Sequence, residues 1–261
     1  MIFLYSSLDE DRVCHTAYLS IRGIMWSIYI CVGVLLTVLL RQSAGLETGR
    51  TGTLKDRTSL YKALAADYQK DLIPDGPNGG PIVVSHHLFI RRVAALENGV
   101  LTLETWEDVR WNDPRLKWDS KKYNINMFNL PSRLIWQPDV MLVNRADRYN
   151  GDTSGDIHAI VTSDGNVTFV PPKVTKAFCQ FDENSVFEKN EVICTLTYMS
   201  WTHHLRDLDI RVDREPKVLL NTNPYWKITQ ISTARKVHKY SFDPDEKFVD
   251  VHYMIQLKRL K

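Results

Sequence analysis

The sequence lacks the devices that catalysis and phosphate binding use. It contains no Gly-rich phosphate loop, no His-Glu-x-x-His and no serine nucleophile elbow. Its only histidine pairs are His86-His87 and His203-His204. Neighbours on a strand point to opposite faces, so neither pair readily chelates one metal, and a core or surface role is expected for each. An enzyme is therefore not expected, nor a cofactor or a metal. Charge of one sign is also missing: 33 Lys and Arg balance 31 Asp and Glu, for a net charge of +2. Such a chain has no electrostatic footprint for nucleic acid. Internal repeats and low-complexity tracts are absent, and past residue 45 no apolar run is long enough to span a bilayer. With 44% hydrophobic and 25% charged residues, the composition is that of a globular chain of one domain or two small ones.

The one long apolar run is Ile24 to Leu40, IMWSIYICVGVLLTVLL, preceded by Arg22 and followed by Arg41-Gln42-Ser43-Ala44-Gly45. A basic flank, an apolar stretch and small residues describe a secretory signal peptide, with cleavage after Ala44 or Gly45. The competing reading is a signal anchor, since a run of about 17 residues sits at the low end of spanning length. Residues 1–23 are unlike a signal peptide, which makes Met25 an alternative start. Residues 1–45 are thus read as the signal region and 46–261 as one secreted, extracellular domain. Cys14 and Cys31 leave with the signal, and Cys179 and Cys194 remain. Two cysteines in a secreted chain pair by default. Their short loop is worth about 3 kcal/mol in the chain-entropy account. Two free buried thiols are the alternative.

From Thr53 to Leu72 the chain reads TLKDRTSLYKALAADYQKDL, with Leu60, Leu64 and Tyr68 at a spacing of four and Tyr61 alongside. This predicts one amphipathic helix, stopped by the turn-rich Ile73-Pro74-Asp75-Gly76-Pro77-Asn78-Gly79-Gly80-Pro81. The period then changes to two. Strands are expected at 82–93, 100–106, 157–161, 166–170, 192–201, 208–212, 226–232 and 248–257. Asp164-Gly165 reads as a two-residue hairpin turn, and Glu97-Asn98-Gly99 as another. Many short strands after one helix argue for an all-β sandwich or barrel.

Aromatic residues are the richest signal: Trp106, Trp111, Trp118, Trp136, Trp201, Tyr225, Trp226, Tyr240 and Phe248. Core placement is the ordinary reading, and it is the one adopted for Trp111, Trp118 and Trp136. The functional alternative is a cage of ring faces, each attracting a desolvated cation by about 0.5–2 kcal/mol.

Order and local context point further. Trp106-Glu107-Asp108-Val109-Arg110-Trp111-Asn112-Asp113 with Leu116-Lys117-Trp118 resembles the first β-hairpin of Cys-loop receptor ligand-binding domains. Trp136-Gln137-Pro138-Asp139 and Asn144-Arg145-Ala146-Asp147 resemble that family's WxPD segment and first ligand-binding loop. Ser163-Asp164-Gly165-Asn166-Val167, Pro171-Pro172 and Cys179 resemble the approach to the Cys loop. Ser200-Trp201-Thr202-His203-His204-Leu205-Arg206 is similar to the second ligand-binding loop, in the form found in the soluble acetylcholine-binding proteins. Tyr240 to Tyr253 resembles the third, a long hairpin that caps the ligand.

The resemblance covers residues 54–259. It implies an immunoglobulin-like β-sandwich of about ten strands with an N-terminal helix. It also implies a homo- or heteropentamer holding a small cationic, cholinergic-like ligand between neighbouring copies. On the principal face it points to Trp201, Tyr240 and Phe248, with Val143 where tyrosine is usual. On the complementary face it points to Trp106, Ile160 and Val170. Trp201 supplies the main ring platform and its backbone carbonyl an acceptor, while Tyr240 and Phe248 close over the ligand.

Besides Val143, further departures accompany it, and the last aromatic is Phe248 in place of tyrosine, one residue later than in the binding proteins. No adjacent cysteine pair exists, and the third loop's tip carries Asp243, Asp245 and Glu246. Those carboxylates either steer cations inward or are a solvated tip. The loop closed by Cys179 and Cys194 has no proline and carries five charges, Asp182, Glu183, Glu188, Lys189 and Glu191. A loop that charged is expected to face water. The chain then ends on Leu257-Lys258-Arg259-Leu260-Lys261, read as a soluble product or as a channel subunit cut short. Asn166-Val167-Thr168 is a glycosylation sequon beside a turn. The leading expectation is a secreted pentameric binding protein. The alternatives are the extracellular part of a ligand-gated channel subunit and, from another class, a β-sandwich lectin or hydrolase.

Overall fold

A computed structural model gives the fold, and its described residues are 52–147, 157–179, 190–241 and 243–260. Residues 1–51, where the signal region is expected, and most of the loop between Cys179 and Cys194 lie outside them. Gly49–Lys261 form one compact unit.

Thr53 starts the helix α1 (Leu54–Ala65) with a reciprocal cap. Its side chain accepts from the Asp56 amide at 3.2 Å, while its own amide donates to the Asp56 carboxylate at 2.9 Å. Leu60 and Leu64 are the buried face. The helix stops short of the expected Leu72 because Tyr68 leaves the helical line for a polar site. Its hydroxyl donates to Asp113 at 2.6 Å and accepts from the Trp136 amide at 2.9 Å and from Arg115 at 3.2 Å. The Arg115 guanidinium lies 4.6 Å from the Tyr68 ring centroid. Burial, then the bond to Asp113, pushes the phenol pKa upward.

The strands are β1 (Ile82–Glu97), β2 (Val100–Asn112), β3 (Met127–Pro131), β4 (Val140–Leu142), β5 (His158–Thr162), β6 (Asn166–Phe169), β7 (Pro172–Phe178), β8 (Glu191–Ser200), β9 (Leu208–Arg211), β10 (Lys217–Val218), β11 (Trp226–Tyr240) and β12 (Asp243–Arg259). An 8-stranded sheet runs β10-β1-β2-β6-β5-β3, with β7 also on β2 and β9 also on β1. A 4-stranded sheet runs β11-β12-β8-β4. Together with α1 they make the expected all-β sandwich with an N-terminal helix.

Alternate residues of both sheets turn into one core, including Leu88, Ile90, Leu101 and Leu103 from the larger sheet and Leu196, Val251, Ile255 and Leu257 from the smaller. Each such side chain is worth about 1.5–3 kcal/mol. Trp111 and Trp136 are buried and meet edge to face at 5.9 Å. Trp118 packs against the core and donates its indole N–H to the Ile125 carbonyl at 2.7 Å. All three are structural, as expected. The disulfide Cys179–Cys194 is formed and ties the end of β7, in the larger sheet, to β8 in the smaller. Among the described residues no helix is long and apolar enough to cross a membrane.

The two turns exchange the characters expected of them. Asn98 (φ 50°) and Gly99 (φ 77°) both take positive φ between paired Glu97 and Val100, as a two-residue type I′ turn needs. At Asp164-Gly165 only the glycine has positive φ (83°), and three residues link β5 to β6. That is a type I turn followed by a left-handed glycine, because the Gly165 amide donates back to the Thr162 carbonyl at 2.8 Å. A Cβ at Gly165 would lie 2.5 Å from the Asp113 carbonyl oxygen. Gly165→Ala is therefore expected to destabilise the fold by about 2 kcal/mol, from left-handed strain and this backbone contact. Chemical denaturation checks it, and an unchanged midpoint would refute the turn assignment.

Candidate functional site

In the smaller sheet, β8 delivers Trp201 to the surface, where it is 64% exposed. Asp139 holds the segment around it. One carboxylate oxygen accepts from the Ser200 hydroxyl, and the other accepts from the Thr202 amide and hydroxyl, both at 2.7 Å. The Asp139 carbonyl accepts from the Trp201 amide at 3.2 Å, and the Ser200 oxygen accepts from the His203 amide at 2.9 Å. The acid of the Trp-x-Pro-Asp segment thus fixes the backbone that presents the indole. Sequence reading had only the motif, not this role, since the partners are more than 60 residues apart. Val143 follows β4, the neighbour of β8 in this sheet, and is 41% exposed, with its amide donating to the Thr197 carbonyl at 2.8 Å.

The β11–β12 hairpin brings Tyr240 and Phe248 together, ring centroids 5.0 Å apart and edge to face. Tyr240 is half-buried, and its hydroxyl lies 3.7 Å from the Met199 sulfur. Phe248 is buried and backs the Tyr240 ring. Two histidines complete the ring cluster: His204 is 4.8 Å from Phe248 and His238 is 4.7 Å from Tyr240. His238 could have been found from sequence, since it shares a strand face with Tyr240 two residues on.

The carboxylates of the third loop are latches. Asp243 meets the His204 ring nitrogen at 3.0 Å, and Glu246 pairs with Arg206. The Leu205 amide donates to the Lys247 carbonyl at 2.7 Å. Two of the three acids expected either to steer cations or to be solvated instead bind the hairpin to the 201–207 segment. Behind the rings, Asp250 lies 3.3 Å from the His238 Nδ1 and 3.0 Å from the His252 Nε2.

The larger sheet carries a second open face. Trp106 is 38% and Ile160 40% exposed. Ile160 pairs with Thr168, and Thr168 with Arg110, four residues along β2 from Trp106, so all four side chains share one face. Val170 stands half-buried just past β6. Arg91 lies over the Trp106 ring, 5.3 Å from its centroid. The next residue of β2 points the other way. Glu107 is buried, meets the Lys173 ammonium at 2.8 Å and accepts from the Tyr198 hydroxyl at 2.9 Å. Burial alone would raise its pKa, but Lys173, His86 and Tyr198 outweigh it and hold the carboxyl below its ordinary value.

The remaining candidates are structural or peripheral. His86 is buried between the sheets and His87 faces the other way, toward the Arg214 carbonyl at 3.1 Å. Among the described residues no group of three His, Cys, Asp or Glu is placed to hold a metal ion. Asn166 is exposed beside its turn, with its amide donating to Asp164 at 2.6 Å. Phe242 and residues 180–189 of the charged loop lie outside the described residues.

Residues 57–261 match the family described as neurotransmitter-gated ion-channel ligand binding domain. The chain is 30% identical over 236 residues to the neuronal acetylcholine receptor subunit alpha-10 of Rattus norvegicus, covering 88% of this chain and 51% of that one. It is 30% identical over 216 residues to the neuronal acetylcholine receptor subunit eat-2 of Caenorhabditis briggsae, covering 79% and 44%. To the alpha-9 subunit of Gallus gallus it is 27% identical over 245 residues, covering 91% and 49%. These relatives are receptor subunits, not enzymes, and the chain spans about half their length. The match runs over most of the chain, on the sandwich described above, and the chain belongs to the neurotransmitter-gated ion-channel ligand-binding domain family.

Proposed function

We propose that the chain is a secreted binding protein that assembles as a pentamer and holds small cationic ligands in an aromatic cage between neighbouring copies. One copy contributes Trp201, Tyr240, Phe248 and Val143, and its neighbour contributes Trp106, Ile160 and Val170. The observation that carries this reading is an exposed indole, Trp201, held by a four-point Asp139 clamp beside the Tyr240–Phe248 pair. Exposing an indole costs apolar burial, and pinning its backbone only makes sense if the ring face has a use. A second exposed indole on the other sheet gives the chain two half-sites.

A second reading is favoured by the relatives themselves. They are named as receptor subunits and are about twice the matched length. The domain would then be the extracellular part of a ligand-gated channel subunit, with the same cage. Occupancy of the Asn166 sequon belongs to either reading.

The test is a panel of quaternary and primary amines titrated against the secreted chain, read by intrinsic tryptophan fluorescence, with the particle mass from light scattering. Trp201→Ala is expected to weaken binding by about tenfold or more while leaving the fold intact. A folded Trp201→Ala that binds every amine as before, or a monomeric particle, would overturn the proposal.

A further inference from the structure

We propose that Arg91 makes the site selective for small zwitterions, with a cationic head at one end and a carboxylate at the other. This rests on Trp106 lining the ligand site, as read above. The pairing of β1 with β2 shifts register between Ile90 and Arg92, so Arg91 is the extra residue of a bulge. Bulges re-aim side chains and gather beside functional sites. This one is pinned: the Leu219 amide donates to the Ile90 carbonyl and the Leu220 amide to the Arg91 carbonyl, both at 2.8 Å. The outcome is a guanidinium held 5.3 Å from the centre of the Trp106 ring.

That guanidinium is loosely balanced. Glu104 is shared, with Arg92 at 2.5 Å and Arg91 at 3.8 Å. Two residues beyond Trp106, Asp108 is shared in the same way by Arg110 at 2.8 Å and Arg214 at 3.0 Å, and Arg214 also reaches Asp213 at 3.5 Å. The flanking carboxylates are therefore engaged, and the indole already faces a cation. A ligand that is only a cation meets like charge when it approaches this ring. A ligand that also carries a carboxylate gains a guanidinium fork whose geometry matches it. Its cationic head is left for Trp201 on the neighbouring copy.

Choline and glycine betaine separate these cases, since both carry a trimethylammonium head and only betaine carries a carboxylate. Glycine betaine is expected to bind the intact chain about tenfold tighter than choline. Arg91→Gln should bring the two affinities within about threefold of each other, and Arg91→Lys, which keeps charge without the fork, should fall between. Arg91 is part-exposed on the sheet surface, and circular dichroism verifies that each variant folds. Choline binding as tightly as betaine, neither probe binding, or an unchanged ratio in Arg91→Gln would overturn the inference. The cage reading is judged separately, by whether Trp201→Ala weakens the amines of the wider panel.

Discussion

Lys173→Met is expected to destabilise the fold by about 3 kcal/mol at neutral pH, because it strands a buried carboxylate. Glu107 is 4% exposed, and its partners are the Lys173 ammonium at 2.8 Å, from neighbouring β7 of the same sheet, and the Tyr198 hydroxyl at 2.9 Å, from β8 across the sandwich. Removing one member of a buried pair costs about 3–5 kcal/mol, and the lower end applies because Lys173 is itself 33% exposed. The pH dependence has a definite sign. In the parent chain the Glu107 pKa is lowered on folding, so its contribution is present above the ordinary carboxylate range and is lost as pH falls below it. In the variant burial is no longer opposed by Lys173, the folded pKa rises, and the acid becomes a liability that protonation relieves. The gap between parent and variant should therefore be widest at pH 7 and close toward pH 4. The double variant Lys173→Met, Glu107→Gln keeps an acceptor for Tyr198 without the charge and should recover most of the loss. Urea midpoints of all three proteins across this pH range decide the matter. A double variant no more stable than Lys173→Met would show that the lysine acts through packing alone.

This pair also explains why the two open faces are held at fixed positions. Glu107 directly follows Trp106 on β2, and Tyr198 lies three residues before Trp201 on β8. The same carboxylate thus braces the strand that presents one indole against the strand that presents the other. Neither Arg91 nor Asp139 belongs to this brace; each acts on one face only.

Much of the fold was legible because the local signals agreed with burial. Val100 to Trp106 alternates in sequence and in exposure, and Asn98-Gly99 forms the tight turn its residues favour. The β11–β12 hairpin was read too short, ending at Ser232 and restarting at Phe248, where the strands run to Tyr240 and from Asp243. Its outer half reads Ala234-Arg235-Lys236-Val237-His238-Lys239, whose side chains are exposed or only partly buried. With no core on either side the period-two signal vanishes, although the backbone ladder continues. The rings of the site were legible by type and order. The contacts that aim them were not: Asp139 reaches Ser200 across 61 residues, and the bulge at Arg91 leaves no mark in the hydrophobic pattern. Tyr68 misled the helix reading for a related reason, because a phenol at helical spacing looks apolar until its hydroxyl finds Asp113.

The stability of the domain should fall by about 2 kcal/mol between pH 7 and pH 5, before most carboxylates titrate, and His86 is the main cause. The ring is fully buried, packed 4.4 Å from Tyr198. Its Nδ1 is 2.9 Å from the Tyr253 hydroxyl, which donates onward to the His86 carbonyl at 2.9 Å, so the ring nitrogen must be the donor. The Nε2 is buried without a hydrogen-bond partner. Burial pushes the imidazole pKa down to about 4, and the nearby Glu107 charge only partly opposes this. An unfolded histidine takes up its proton near pH 6.5, whereas this one refuses it until about pH 4. Over that window the unfolded chain binds the extra proton, so acid favours unfolding, and neutral pH restores the stability. His87, also lowered by burial, adds to the same slope. Glu107, Asp108 and Asp213, whose pKa values are lowered on folding, act only below the ordinary carboxylate range, so they do not mimic it. His86→Phe fills the same space with a ring that cannot charge. It should flatten the dependence between pH 7 and pH 5 to the residue left by His87, measured by urea unfolding at each pH. A variant with the parent's full slope would place the acid sensitivity elsewhere and would mean that the buried ring accepts its proton without cost.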